Sequence, residues 1–351
     1  MRIARVVTVF AALMAGTVWA LPVTAGSTPA VAGSIEELDS WHSAIAPVLS
    51  IDGVNLTDAD ETTMTLLVGV EDLGITEQVL HTVSALGVPP TVVRVEQWDP
   101  IRIALDDRHR PMVGGLQIQF QSGFLGLSTG TCTAGFGFAS TSLNARGFIT
   151  NSHCTRTRGE LDNGRYWSPT RPASDGDQVG TEIKDPPFFT GGVCPAGRKC
   201  RYSDAAAVRT TAAADMNVGT IARPSLNSTS WAGQDVFRVY NEATPSTTMT
   251  ATKVGRTTGR TQGPVTHTCA NTNVADSDIT MLCQNFVRAT VDPGDSGSPV
   301  FQITNSPSAN NVALLGVLWG ETTSGGYEYF CFSSMSRIKQ EIGSMNTWFG
   351  S

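Results

Sequence analysis

Gly294-Asp295-Ser296-Gly297-Ser298-Pro299 is the stretch on which the reading of the fold turns. Small residues on both sides allow a serine to sit on a tight turn, with backbone amides converging where a carbonyl oxygen gains negative charge. The amides of Gly294 and Ser296 are the expected donors. Taken alone, Gly, Asp and Ser are ordinary turn residues, and the competing reading is a surface β-turn. The company this serine keeps decides between the two.

A serine hydroxyl is a poor nucleophile until a neighbouring base takes its proton, and the base needs an acid to hold its tautomer. Histidines occur at 42, 81, 109, 153 and 267. His153 stands out because it ends Gly147-Phe148-Ile149-Thr150-Asn151-Ser152-His153-Cys154, where a strand delivers the imidazole and Cys154 can tie it to Cys132. His267, near Cys269, lacks that context. Among the acids, Asp175, Asp177 and Asp185 stand in Gly- or Pro-rich loops. Asp204 instead opens Ser203-Asp204-Ala205-Ala206-Ala207-Val208, whose small apolar residues suit a carboxylate buried against an imidazole. The competing reading of Asp204 is a strand-start turn residue, and Asp215 is the next candidate acid.

These segments, with Cys132-Thr133-Ala134-Gly135-Phe136, resemble the chymotrypsin-fold (trypsin-like) serine peptidases, especially the bacterial streptogrisin and α-lytic branch. The order agrees, with 51 residues from His153 to Asp204 and 92 from Asp204 to Ser296. Lys253-Val254-Gly255-Arg256-Thr257-Thr258-Gly259, followed by Gly263 and Val265, resembles the same branch. The resemblance spans residues 112–351. It implies an all-β double six-stranded barrel with a short C-terminal helix and the triad in the cleft between the barrels. It further implies His153 as general base and then acid, Asp204 as its orienter, Ser296 as the acyl-enzyme nucleophile, and Gly294 and Ser296 as the oxyanion hole. Asp295 then shapes the turn, Leu318, Trp319 and Gly320 pair with substrate backbone, and Thr290 lies at the base of the specificity pocket. An uncharged Thr290 gives no support for a Lys or Arg preference. Two departures stand out. Asp292 occupies the place of a cysteine found in the pancreatic branch, leaving Cys331 without its usual partner, and Arg110 precedes Pro111, so no clean activation site is visible.

Chain order argues against an α/β hydrolase, which needs Gly-x-Ser-x-Gly with acid and histidine after the serine; here position 298 is Ser and His153 comes first. A different class of function, a secreted non-catalytic binding protein on a protease scaffold, stays open at this stage.

The rest of the chain frames this reading. Its 351 residues suffice for about two domains. Charged residues are 16% of the total against roughly 25% in typical soluble domains, which suits strands and turns better than salt-bridged helices. A net charge of −7 without a basic block offers no footprint for nucleic acid. Residues 1–25 carry Arg2 and Arg5, an apolar run from Val6 to Leu21, and small residues at Ala20 and Ala25, which reads as a secretory signal peptide. The run is shorter than the roughly 20 residues of a membrane span. A secreted, extracellular or periplasmic monomer without stable membrane insertion is therefore expected. Cysteines at 132, 154, 194, 200, 269, 283 and 331 are then expected to form disulfides. Nearest-neighbour pairing joins Cys132 to Cys154, Cys194 to Cys200 and Cys269 to Cys283, although spacing alone leaves connectivity open. No Cys-x-x-Cys pair is present, and neither metal nor cofactor is expected.

Residues 26–110 contain no cysteine and read as a small α+β unit, with strands at Thr63–Val70 and Thr91–Val95 around a helix from Thr76, its expected cap, to Leu86. By position and size this unit resembles the pro-segments of bacterial relatives, an intramolecular chaperone and inhibitor; a permanent accessory domain is the alternative. Residues 111–351 then form the peptidase domain, with strands at Leu116–Phe120, Thr133–Phe138, Arg146–Thr150, Ala205–Arg209, Val236–Tyr240 and Leu314–Trp319, and a helix over Ser336–Phe349. Its expected partners are protein or peptide substrates.

Overall fold

The computed structural model describes residues 31–98, 103–123, 127–171, 177–212, 214–304 and 310–349. The expected signal peptide and Asp175 lie outside the described residues. The chain divides into two compact units, Met1–Pro100 and Ile101–Ser351.

The smaller unit runs α1 (Ile35–Ile45), β1 (Val54–Asp60), β2 (Thr65–Val70), α2 (Thr76–Ala85) and β3 (Val93–Gln97). Strands β2 and β3 pair in parallel with α2 as their crossover, the β-α-β expected, and β1 adds an antiparallel edge. Helix α1 was not foreseen. Ser34 caps it by accepting from the Glu37 amide, an otherwise orphaned donor of the first turn, while the Glu37 carboxylate reaches back past the cap to the Gly33 amide. Thr76 does not cap α2. It is the first helical residue and its hydroxyl donates to the Leu73 carbonyl, while Asp72 caps the preceding 3-10 turn. Gly87, at φ +81°, follows the Leu86 C-cap and ends α2. Leu38, Ile45, Leu66, Val68, Val70, Val79 and Val83 form the core of this unit.

The larger unit opens with β4 (Ile103–Ala104), β5 (Met112–Gly114), β6 (Gln117–Ser122), β7 (Ser128–Thr133), β8 (Gly137–Ser140) and β9 (Ala145–Asn151). It continues through β10 (Arg165–Trp167), β11 (Gln178–Lys184), β12 (Lys199–Arg201), β13 (Ala205–Thr210), β14 (Met216–Ala222), β15 (Ser230–Trp231) and β16 (Val236–Glu242). The last stretch holds β17 (Thr250–Gly255), β18 (Gly259–Asn273), β19 (Ile279–Val287), β20 (Pro299–Ile303), β21 (Asn311–Ser324), β22 (Tyr327–Ser334) and α3 (Met335–Ile342).

Two sheets carry the architecture. In the first, the order is β7-β6-β10-β11-β13-β9-β8. The expected strand Thr133–Phe138 is bent at residues 134–136, so that β7 pairs with β6 and β8 pairs with β9. The bend itself bonds on both sides: Ala134 donates to the Leu116 carbonyl, Gly135 to that of Ile149, and the Ile149 amide to that of Phe136. Counting β7 and β8 as one bent strand, the sheet closes on six strands. In the second sheet, β17, β18, β19, β22, β21 and β20 pair in succession and β20 returns to β17, a second six-stranded ring. The chain from residue 101 is thus the all-β double barrel expected, with a short C-terminal helix. Helix α3 stops at Gly343 (φ +119°) rather than running to Phe349, and Asn346 bonds back to Ala139 beyond it.

Residues 103–110 belong with the larger unit, since β4 pairs with β15 and Leu105 lies in the barrel core and accepts from the Gln117 amide. The division therefore falls earlier than the boundary expected at 110.

Candidate active site

His153 is delivered by β9 and a following 3-10 turn, Ser152–Cys154. Three attachments hold that turn: Cys154 is disulfide-bonded to Cys132, the Ser152 amide donates to the Asp204 carbonyl, and Tyr166 Oη donates to the Cys154 carbonyl. Asp204 immediately precedes β13, whose Ala205 sits opposite Asn151 of β9. The buried alanines 205–207 leave Asp204 room to lie wholly inside the protein. Its Oδ2 is 2.5 Å from His153 Nδ1, while the imidazole is 30% exposed. Register between two neighbouring strands thus creates the pair.

The other carboxylate oxygen, Oδ1, accepts from Arg158 Nε and Nη2 at 3.2 and 3.0 Å. Burial alone pushes the Asp204 carboxyl up, but the Arg158 charge and then His153 outweigh it and hold the group well below the usual carboxylate range. Asp204 is accordingly an anion that accepts from the imidazole. Behind it, Arg201 is buried and donates to Asp185 Oδ1, Ser152 Oγ and the Ala205 carbonyl.

The Ser296 turn is fixed from the opposite barrel. Its Ser296 carbonyl accepts from the Thr133 amide and its Gly294 carbonyl from Thr133 Oγ1, next to the disulfide that anchors His153. Gly297 has φ +92°, and a Cβ there would sit 2.1 Å from the Thr133 carbonyl, so only glycine permits this approach. Asp295 is buried, and its Oδ1 accepts from the amides of Thr257 and Thr258, its Oδ2 from Thr258 Oγ1 and the Asp292 amide. Buried Lys253 Nζ lies 2.8 Å from the same carboxylate and also bonds Thr258 Oγ1. Burial draws the Lys253 ammonium down, opposed by Asp295. Among the described residues, neither the Gly294 nor the Ser296 amide has an acceptor, so both remain available to an oxyanion. Ser296 Oγ and His153 share no hydrogen bond in this arrangement.

The remaining expected residues fall as follows. Trp319 and Gly320 of β21 line a cavity of about 550 Å³ together with His153, Arg158 and Glu321. The Leu318 amide and carbonyl are taken by Ser298 and Gly297, and its side chain is in the second barrel core. Thr290 lies on a separate cavity of about 480 Å³ with Thr257, Thr258 and Thr261. Asp215 precedes β14, where its carbonyl accepts from Met112, and His267 bonds Thr266 and packs edge-on against Phe286. The three nearest-neighbour disulfides are formed, and Cys331 is a buried free thiol pushed up to about 12 by burial. Cys132, His153 and Cys154 come together as a potential three-ligand cluster, but the two sulfurs are bonded to each other. Arg158 escaped sequence reasoning because nothing marks a loop arginine as turned inward. Lys253 lay within a quoted resemblance without a role, and its position opening Lys-Val-Gly-Arg was the available signal.

No protein-family model and no curated relative matches the sequence. Among solved structures, the chain is similar to Thermobifida fusca Protease A, at 19% identity over 68% of this chain and 98% of that one, TM-score 0.46. It is similar to the Nocardiopsis protease NAPase at 18% identity over 66% and 96% of the two chains, TM-score 0.44. A Cellulomonas bogoriensis chymotrypsin aligns at 20% identity over 67% and 98%, TM-score 0.42.

Proposed function

We propose that the chain is a secreted serine endopeptidase, made as a precursor with a signal peptide at residues 1–25 and a removable N-terminal segment. One observation carries the proposal: the buried Asp204 carboxylate 2.5 Å from His153 Nδ1, across the Cys132–Cys154 disulfide from a serine turn whose Gly294 and Ser296 amides are free. Anionic Asp204 accepts the Nδ1 proton, which leaves Nε2 as the basic nitrogen. Nε2 takes the Ser296 proton as Oγ attacks the scissile carbonyl, and the oxyanion forms against the two amides. The imidazolium then protonates the departing amine, leaving an acyl-enzyme. Water then attacks the acyl carbon and gives its proton to His153, which returns one to Ser296 Oγ as the acyl–Oγ bond breaks and the carboxylic acid leaves. The missing Ser296–His153 hydrogen bond suits a resting site, where such contacts tighten only with substrate bound. Three disulfides support export to an oxidising compartment, and among the described residues no helix is long and apolar enough to cross a membrane.

The test incubates purified precursor with a diverse peptide mixture and maps every cut by mass spectrometry, its own processing site included. Internal peptide cleavage that disappears in Ser296→Ala is expected. A folded, processed protein that cuts nothing would instead favour the non-catalytic binding protein.

A further inference from the structure

We propose that Arg158 is a positioning residue for this reaction, holding the second oxygen of Asp204 and placing a fixed positive charge on the carboxylate that serves His153, an inference that rests on the peptidase reading above. A carboxylate that serves an imidazole through one oxygen must have its other oxygen fixed, or the group rotates and the imidazole follows it. Here that oxygen, Oδ1, receives both Arg158 Nε and Nη2. No other side chain among the described residues donates to it: Ser333 Oγ accepts from the Asp204 amide and donates its own proton to Gln284 Oε1, and Leu318, on the strand flanking the cavity, is apolar.

The loop that carries Arg158 is held rigidly. The Gly159 amide donates to Asp185 Oδ2 and Ser152 Oγ, groups that buried Arg201 also holds. Gly159 has φ +78°, and a Cβ there would lie 2.6 Å from the Phe188 ring. The Arg158 guanidinium stands 5.9 Å from the centroid of the same ring, and its side chain is 23% exposed, at the wall of the His153 cavity. An arginine fixed in this way is not a surface ion pair that happens to reach inward.

Its charge acts twice. It keeps Asp204 anionic, so the proton taken from Ser296 stays on the imidazole, and as a cation already on that carboxylate it opposes a second one by Coulomb repulsion. Among the other charges nearby, Arg201 also favours the Asp204 anion, less strongly than Arg158. Arg201 on β12 pairs with Asp185 after β11, Glu341 of α3 accepts from Ser203 and lies 3.9 Å from Arg201 Nε, Arg156 pairs with Asp162, and Glu321 of β21 shares the cavity.

The experiment uses processed wild type, Arg158→Gln and Arg158→Lys. In the resting proteins it titrates the low-field proton resonance of His153 Nδ1, and with a peptide substrate it measures kcat and kcat/KM against pH. In Arg158→Gln the resonance midpoint and the acid limb of kcat/KM should both rise by about one pH unit, with kcat at least tenfold lower. Arg158→Lys keeps the charge and should hold the midpoint within a few tenths of wild type. An unmoved midpoint in folded Arg158→Gln, or no low-field resonance in wild type, would overturn the proposal. If Arg158→Gln does not fold, Arg158→Lys decides: a severalfold fall in kcat with an unmoved limb supports the role, and wild-type kcat with a moved limb refutes it. The resonance needs no turnover, so a shifted midpoint in a protein that cuts nothing contradicts the peptidase reading and leaves Arg158 in its place.

Discussion

Asp204 and Glu182 are both wholly buried carboxyls of the first barrel, and their surroundings set their charges in opposite directions. Asp204 has Arg158 and His153. Glu182, on β11, accepts from the Asp162 amide through Oε2, while its Oε1 has no partner. Burial pushes Glu182 up to about 8 against the pull of that amide, and the nearby Asp162 carboxylate adds to the rise. Between an unfolded value of 4.5 and about 8, the folded protein keeps a proton that the unfolded chain has lost. Stability from this group is therefore full below pH 4.5 and falls as pH rises, by up to about 1.4 kcal/mol per pH unit across that window. Glu182→Gln, neutral at every pH, should remove that slope. Denaturant unfolding of both proteins from pH 5 to 9 should give stability curves that diverge in favour of the variant as pH rises, and parallel curves would refute the assignment. Asp204 was legible in the sequence because three alanines follow it. Glu182 was not, because a strand glutamate ordinarily faces water.

At the scale of elements, the Ser296 turn is held in place by a charge pair between Lys253 of β17 and Asp295. Lys253 and Asp295 are both fully buried, and removing one member of such a pair typically costs about 3–5 kcal/mol because the other charge is left alone. Lys253→Met should lose stability of that order by denaturant unfolding and should also lose peptidase activity in the fraction that stays folded. A variant with wild-type stability would show that the pair does not hold the turn. Strand positions were readable from apolar runs, yet their ends were not. The bend at residues 134–136 arises because Gly135 must pass close to both Ile149 and Gly297 carbonyls, a tertiary demand with no local signature. Helix α1 did carry a local signature, Ser34-Ile35-Glu36-Glu37, whose serine caps the first turn. Gly343 likewise marked the end of α3 in the sequence, but the apolar Trp348 drew the expected helix past it.

For the whole molecule, two closed six-stranded rings meet where glycines and a disulfide bring a histidine-bearing turn and a serine-bearing turn together. The double barrel followed from sequence through the order and spacing of the quoted segments, while the strands between them tolerate many apolar choices. The substrate pocket did not follow. Thr290 was assigned by its offset from Ser296 alone, whereas cavity walls depend on where loops fold back. The smaller unit has its own core, consistent with a segment that folds and is then removed. Because β4 and Leu105 belong to the larger unit, processing is expected before Ile103, so that the mature barrel keeps both. The central claim, that Ser296 is an activated nucleophile, is tested most directly by treating the folded, processed protein with a fluorophosphonate and locating the adduct by mass spectrometry. The account predicts one adduct, on Ser296, absent from Ser296→Ala; an unlabelled wild type, or an adduct that survives the substitution, would contradict it.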